Sequence, residues 1–231
     1  LILILNLFIM PKELNYISVI FILLIFSSCS TPIYKKVNEL SNNEQSLSRE
    51  IVEFSLDESF NPNKINCIAI GNIFDSTNDY DYKHLDKSKL IRNALFGLLS
   101  TKNYDYTDLT RVDYILENNK NISNDQLLEL LNCDAIINGK ITKFTNNYLV
   151  VYSVTSVGIE LELTDKSSKI LWSAKHSAIS REGSIPLSPI SLVTGILEAS
   201  LNREDETALQ MVDTVSRRVM STLPNKKTIV P

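Results

Sequence analysis

The sequence predicts an α/β fold: a single three-layer-like domain in which helices pack on a mixed sheet and a long C-terminal β-hairpin is followed by further helices. Three observations carry that prediction. Two short, nearly continuous apolar runs, 65–74 (INCIAIGNIF) and 133–144 (CDAIINGKITKF), have the length and composition of strands buried on both faces. Segments of helical spacing lie between them, and such alternation along a chain argues for a sheet covered by helices. From 148 to 164 the period then drops to two, as a half-buried strand requires.

Ahead of this domain stands 17–29 (ISVIFILLIFSSC). Its apolar run of about ten residues is far short of the roughly 20 that a spanning helix needs. A small charged patch, Lys12 and Glu13, precedes it, and the small residues Ser27 and Ser28 lead into Cys29, which is the order of a signal peptide. The zone resembles the bacterial lipobox, with Phe26 where Leu is usual. A thiol is needed there because sulfur is the nucleophile that takes the diacylglyceryl group. One acyl chain binds a membrane marginally and two hold it, so a lipidated Cys29 is an anchor by itself. An uncleaved helical anchor and a plain signal peptide are the competing readings. Residues 1–9 (LILILNLFI) are set aside, since Met10 just before the charged patch reads as the start. The expected organisation is therefore a signal peptide over 1–28, a lipidated N-terminus and polar tether over 29–64, and a periplasmic α/β domain over 65–231.

The net charge of −4 and the lack of any Lys/Arg-rich block argue against nucleic acid, whose partners carry basic patches. Of the three cysteines, Cys67 and Cys133 remain after lipidation. An oxidising compartment would let them pair, whereas their places in and just before strands equally suit small buried thiols.

Taken in order, 30–64 is rich in Asn, Ser, Glu and Lys and reads as tether, with helical spacing at Val37, Leu40, Leu47, Ile51 and Phe54 offering a docked helix as the other reading. The acidic loop 75–87 contains Asp75, Asp79 and Asp81, yet lacks the Gly and Glu that an EF-hand requires. The stripe Leu90, Ile91, Ala94, Leu95, Leu98 and Leu99 predicts a helix over 88–101. A short strand at 104–106 and two short helices follow, 110–117 and 123–131, the second capped by Ser123 and carrying Leu127, Leu128, Leu130 and Leu131. In the hairpin, Leu149, Val151, Val157, Ile159, Leu161 and Leu163 face inward and Glu160 and Glu162 outward, 164–168 turns, and 169–179 returns with Ile170, Trp172 and Ala174 inward and Lys175 outward. Trp172 belongs to the core, and His176 is a rim or hydrogen-bonded residue. The segment 190–201 (ISLVTGILEASL) is apolar almost all round and must be buried, against its own domain, a subunit or partner, or the membrane surface. Its candidates for a subunit or partner interface are Ile190, Val193, Ile196, Leu197 and Leu201. A more amphipathic helix over 203–223 turns Leu209, Val212, Val215 and Val219 inward, and the two are either separate or one helix broken near Asn202.

The run Cys133-Asp134-Ala135-Ile136-Ile137-Asn138-Gly139-Lys140-Ile141 resembles the ADA(V/I)xxGxI strand of a group of periplasmic α/β modules: the N-terminal domain of TolB, CsgG-type secretion lipoproteins and LpoB-type activators. Residues 157–164 with Ile170-Leu171-Trp172-Ser173-Ala174 are similar to the hairpin those proteins share. With the apolar helix added, the chain most resembles the lipoproteins typified by the genome-derived neisserial antigen lipoprotein, over about 65–223. It departs from them in having Gly71-Asn72 where Pro-Pro often follows the first strand.

That resemblance implies an outer-membrane-tethered, non-enzymatic, often dimeric module serving an envelope transport or secretion complex, and it carries over no catalytic residue. No GxSxG, HExxH or oriented Cys/His pair appears, and no cofactor, metal or small-molecule substrate is expected. The partners expected are the bilayer through Cys29, further copies of the chain and an envelope protein. A CsgG-type pore subunit and an LpoB-like activator of an envelope enzyme are the alternatives. Ser30 after the cysteine directs the protein to the outer membrane by resemblance to the enterobacterial sorting rule.

Overall fold

A computed structural model of the chain describes residues 32–37, 51–77, 82, 84–119, 121–149, 152–183 and 196–227, excepting the side chains of 148–149, 152–153, 181–183 and 196–205. In chain order the elements are β1 (Ile33–Lys36), β2 (Ile51–Leu56), β3 (Cys67–Asp75), α1 (Lys87–Leu99), β4 (Asp105–Tyr106), α2 (Leu109–Asn118), α3 (Asn124–Leu131), β5 (Ala135–Leu149), β6 (Tyr152–Asp165), β7 (Ile170–Gly183) and α4 (Ile196–Ser221). The strands form one mixed sheet in the order β1-β2-β7-β6-β5-β3-β4. Pairing is parallel at β1/β2, β3/β4 and β3/β5 and antiparallel at β2/β7, β7/β6 and β6/β5. From Ile33 onward these elements form one compact unit. The predicted α/β class, mixed sheet and terminal hairpin are what the chain adopts.

The two apolar runs are β3 and β5, side by side with Ile68 opposite Ala135 and Ile70 opposite Ile137. Their residues divide between two cores. On one face Ile68, Ile70, Ile137, Ile141 and Phe144 join α1 and α4, and on the other Ala69, Ile136 and Cys133 join Val112 of α2 and Leu127, Leu128 and Leu131 of α3. Burial on both sides is why these strands show no alternation. Along β6 and β7 only one face is covered. Val157, Ile159, Leu161, Leu163, Trp172 and Ala174 are buried against α4, while Glu162 and Lys175 face water.

α1, α2 and α3 each begin where the sequence supplies a cap. Asp86 accepts from the Lys89 amide at 2.9 Å and Asp108 from the Thr110 amide at 2.7 Å. Ser123 forms a capping box with Gln126. α1 buries Ile91, Leu95 and Leu99, one turn apart. α4 buries Ala208, Val212, Val215 and Val219.

The motif residues have physical roles. Asp134 Oδ2 accepts from the amides of Asn66 (2.7 Å) and Cys67 (3.3 Å), holding β3 to the start of β5. A Cβ on Gly139 would meet the Glu160 carbonyl oxygen and, at 2.6 Å, Leu161 Cδ2, so the position admits no side chain. The pairing of β3 with β5 slips between Ile70 and Ile73, and there Asn138 Oδ1 accepts from the Asn72 amide at 3.0 Å. The Gly71-Asn72 pair therefore has a partner for an amide that Pro-Pro would lack. Trp172, fully buried, donates from Nε1 to Thr222 Oγ1 at 3.0 Å and pins the end of α4.

Several expectations are corrected. Residues 33–36 and 51–56, assigned to the tether, are the strands β1 and β2; in IVEFSL, Val52, Phe54 and Leu56 alternate with Glu53 and Ser55 at the strand period. β5 continues to Leu149 and β6 begins at Tyr152, so Leu149 belongs to the earlier strand, extending an alternation that runs through both. α4 passes through Asn202 without a break, since one Asn in a helix interior costs under about 0.7 kcal/mol. Leu209 is 47% exposed because Ala208 occupies the inward stripe, and Leu130 and Ile170 likewise face outward. Cys67 and Cys133 are joined in a disulfide, which decides the alternative left open above.

Candidate interaction surface

The chain's predicted functional residues fall largely beyond the described region. Cys29, Ile190 and Val193 lie outside it, and Ile196, Leu197 and Leu201 lie in the first turns of α4, where only the backbone is described. Asp79 and Asp81 are also outside, while Asp75 binds within its own loop: its Oδ1 accepts from the Thr77 amide at 2.9 Å and Thr77 Oγ1 at 2.6 Å. Lys87, buried against Phe144, completes that arrangement 3.4 Å from Asp75 Oδ2. Burial pushes the Asp75 carboxyl up, and the Thr77 hydrogen bonds together with Lys87 outweigh it and hold it below its usual range.

The open face of the sheet carries a rung of alternating charge. Lys140, Glu160, Lys175 and Glu53 occupy matched positions on β5, β6, β7 and β2. Lys140 Nζ lies 2.9 Å from Glu160 and Lys175 Nζ 2.9 Å from Glu53. A groove of about 340 Å³ beside it is lined by Ile51, Thr142, Glu160, Lys175 and Ser177. Cross-strand pairs of this kind add tenths of a kcal/mol each and keep a sheet face wet.

His176 points to the other face, buried on the apolar parity of β7. Its Nδ1 lies 3.0 Å from the Ile51 carbonyl and its Nε2 3.1 Å from Arg218 Nη1. Because a guanidinium only donates, Nε2 is the acceptor and Nδ1 donates to Ile51, so the neutral ring links β2, β7 and α4. Of the rim and hydrogen-bonded readings that its parity allows, the second holds: His176 is buried and hydrogen-bonded.

A second groove, about 450 Å³, lies between α1 and α2 and includes Lys89, Arg92, Asp113 and Tyr114. Arg92 Nη1 pairs with Asp113 Oδ1 at 2.6 Å. Among the described residues, no three His, Cys, Asp or Glu side chains are grouped to hold a metal, and no helix is long and apolar enough to cross a membrane. What these surfaces offer is contact area that carries ion pairs.

An exposed apolar group among the described residues lies outside what the sequence predicts. Ile33, Tyr34 and Val37 are 50%, 44% and 47% exposed at the outer edge strand β1. The signal was present in the pairing partner: IVEFSL is a strand pattern that needs a neighbour, and the run beginning at Ile33 supplies one.

A search of curated proteins finds no match. Among solved structures, lipoprotein GNA1162 from Neisseria meningitidis is similar at 20% identity and TM-score 0.43, covering 62% of this chain and 99% of that one. The PelC dodecamer from Paraburkholderia phytofirmans follows at 14% identity and 0.40, covering 71% and 94%. Rare lipoprotein B from Shewanella oneidensis matches at 10% and 0.39, covering 68% and 93%. Residues 114–230, which hold α3, the ADAxxxGxI-like strand, the hairpin and α4, match the family model described as "Putative lipoprotein GNA1162-like". The chain belongs to the GNA1162-like lipoprotein family.

Proposed function

We propose that the protein is a lipid-anchored periplasmic component of a cell-envelope transport or secretion system, working by protein contact and not by catalysis. The observation that carries this reading is the family match over 114–230. The short apolar run before Ser27-Ser28-Cys29 supports it independently, with Cys29 as the acylated residue. The Cys67–Cys133 disulfide fits an oxidising compartment. Ser30 favours the outer membrane, with the domain on its periplasmic side. Partner or subunit contact is assigned to Ile190, Val193, Ile196, Leu197 and Leu201, and Leu197→Asp is expected to reduce oligomer size on a sizing column without unfolding the chain.

The pore-subunit alternative is disfavoured by the open sheet face. Lysines at the middle of a lipid-facing strand cost about 2–4 kcal/mol each, and Lys140 and Lys175 share that face with Glu160 and Glu53. The test is metabolic labelling with palmitate followed by membrane fractionation. Wild type is expected to take label and sediment with the outer membrane, and Cys29→Ser to do neither; equal labelling of the two would defeat the proposal.

A further inference from the structure

We propose that β1 is the membrane-facing edge of the domain, with its outer strand edge and the side chains of Ile33, Tyr34 and Val37 resting in the headgroup layer of the bilayer that holds the lipidated cysteine. This rests on the acylation of Cys29 proposed above. Four residue steps separate Cys29 from Ile33, and four residues of fully extended chain span at most about 14 Å. The sheet therefore begins close to the lipid surface, on a leash too short to hold the domain away from it.

The chemistry of the edge agrees. Edge strands are commonly guarded by charged side chains, lysines above all, and in β1 these stand only in the second half, at Lys35 and Lys36. In β1 consecutive residues on opposite faces, Ile33 and Tyr34, are both apolar in body and about half exposed, at 50% and 44%. Ile33 stands beside Ile51 on the open face and Tyr34 beside the buried Val52 on the helix face, so apolar surface wraps around the edge instead of lying on one side. That distribution suits a medium met edge-on. Tyrosine is enriched at membrane interfaces, and the exposed Lys36 beside it has a stem that lies along apolar surface and a head that reaches phosphate. Lys35 stands opposite Glu53 in the register and belongs with the charge rung.

The sheet order places the other end of the molecule away from this contact. β1 and β3 are separated by five strand spacings, about 24 Å at 4.8 Å each. α2 and α3 pack on β3 and β5, so Tyr114 on α2 (68% exposed) belongs to the far end.

Because Cys67 and Cys133 are disulfide-bonded and the sulfur of Cys29 would be a thioether, Val37→Cys introduces the one free thiol of the lipidated chain. Tyr114→Cys does the same at the far end and serves as the control. The full lipidated proteins, labelled with palmitate, are added to preformed vesicles of phosphatidylethanolamine and phosphatidylglycerol and treated with a membrane-impermeant anionic maleimide. The proposal expects the thiol at 37 to react severalfold more slowly than that at 114 in vesicles, and at the same rate once detergent replaces the bilayer. Equal rates in vesicles overturn it. Slow reaction at 37 that persists in detergent, together with crosslinked dimers through that thiol, assigns the edge to a second copy of the chain and overturns it as well. Palmitate in the same samples separates the two failures: its absence removes the anchor and this inference together, whereas its presence with equal rates removes only this one. Ile33→Cys provides a second reporter should Val37→Cys not fold.

Discussion

The two halves of the sheet are built on different terms. The first parts of β3 and β5 lie between two helical layers, α1 and α4 on one face and α2 and α3 on the other, and there Ile68, Ala69, Ile70, Ala135, Ile136 and Ile137 are all fully buried. β6, β7 and β2 have α4 on one face and water on the other. The first half is held by apolar burial, at about 1.5–3 kcal/mol per large side chain, and by a crosslink. The second also carries exposed pairs at its edge, Lys169–Asp57 at 2.7 Å and Lys175–Glu53 at 2.9 Å, which water and salt screen. The difference teaches where change is tolerated: the doubly covered half specifies the fold, and the half-open one carries the surfaces free to meet lipid or protein.

The largest effect that sharpens this contrast is expected at Gly139, where β5 meets the Glu160 backbone. Gly139→Val forces the two strands apart and is expected to cost above about 4 kcal/mol, read as a collapse of the urea midpoint. Next comes the crosslink. Cys67 and Cys133 close a loop of 66 residues between the starts of β3 and β5, and replacing both by Ser is expected to cost about 4 kcal/mol in chain entropy, measured by urea unfolding under oxidising conditions.

A paired comparison tests the two halves directly. Ile136→Ala, in the second core, is expected to cost about 2–5 kcal/mol, whereas Lys175→Ala on the open face costs under about 1 kcal/mol. Equal costs would break the distinction. The smallest effect is electrostatic. The Lys169 ammonium, with Ser59 behind it, holds the exposed Asp57 carboxyl down at about 2, against the ordinary 3.8. A carboxyl depressed in the folded chain contributes stability that is present above about pH 4 and lost as pH falls toward 2. The urea midpoint of wild type should thus fall more steeply between pH 4 and 2 than that of Asp57→Asn.

The contrast also explains what could be read from the chain. Doubly buried strands appear as continuous apolar runs and half-open ones as alternation, so β3, β5, β6 and β7 were legible, as was the cap Ser123 by residue type. β1 and β2 were harder to read. IVEFSL has the strand period, but it stands among Asn, Ser and Lys and its partner Lys175 on β7 lies 122 residues beyond Glu53, while β1 in turn depends on β2. The disulfide was undecidable for the same reason: it depends on β3 and β5 being parallel neighbours with their starts aligned, which brings the two Cα atoms to 4.5 Å. Leu209 shows a finer limit. A stripe beginning at Ala208 and one beginning at Leu209 both continue through Val212, and only packing against the sheet selects the smaller residue for the inside. Of the candidate site, residue chemistry proposes Cys29 and the apolar segment from Ile190, both outside the described residues, whereas the exposed edge at Ile33 and Tyr34 emerges only once the sheet is assembled.

The proposed anchor makes Cys29 the first residue of the mature chain, carrying lipid. The most direct measurement is the mass of the N-terminal peptide of the protein purified from membranes. The prediction is a peptide beginning at Cys29 and heavier by a diacylglyceryl group, with or without an amide-linked acyl chain. A mature chain that begins elsewhere, or an unmodified Cys29, would contradict it.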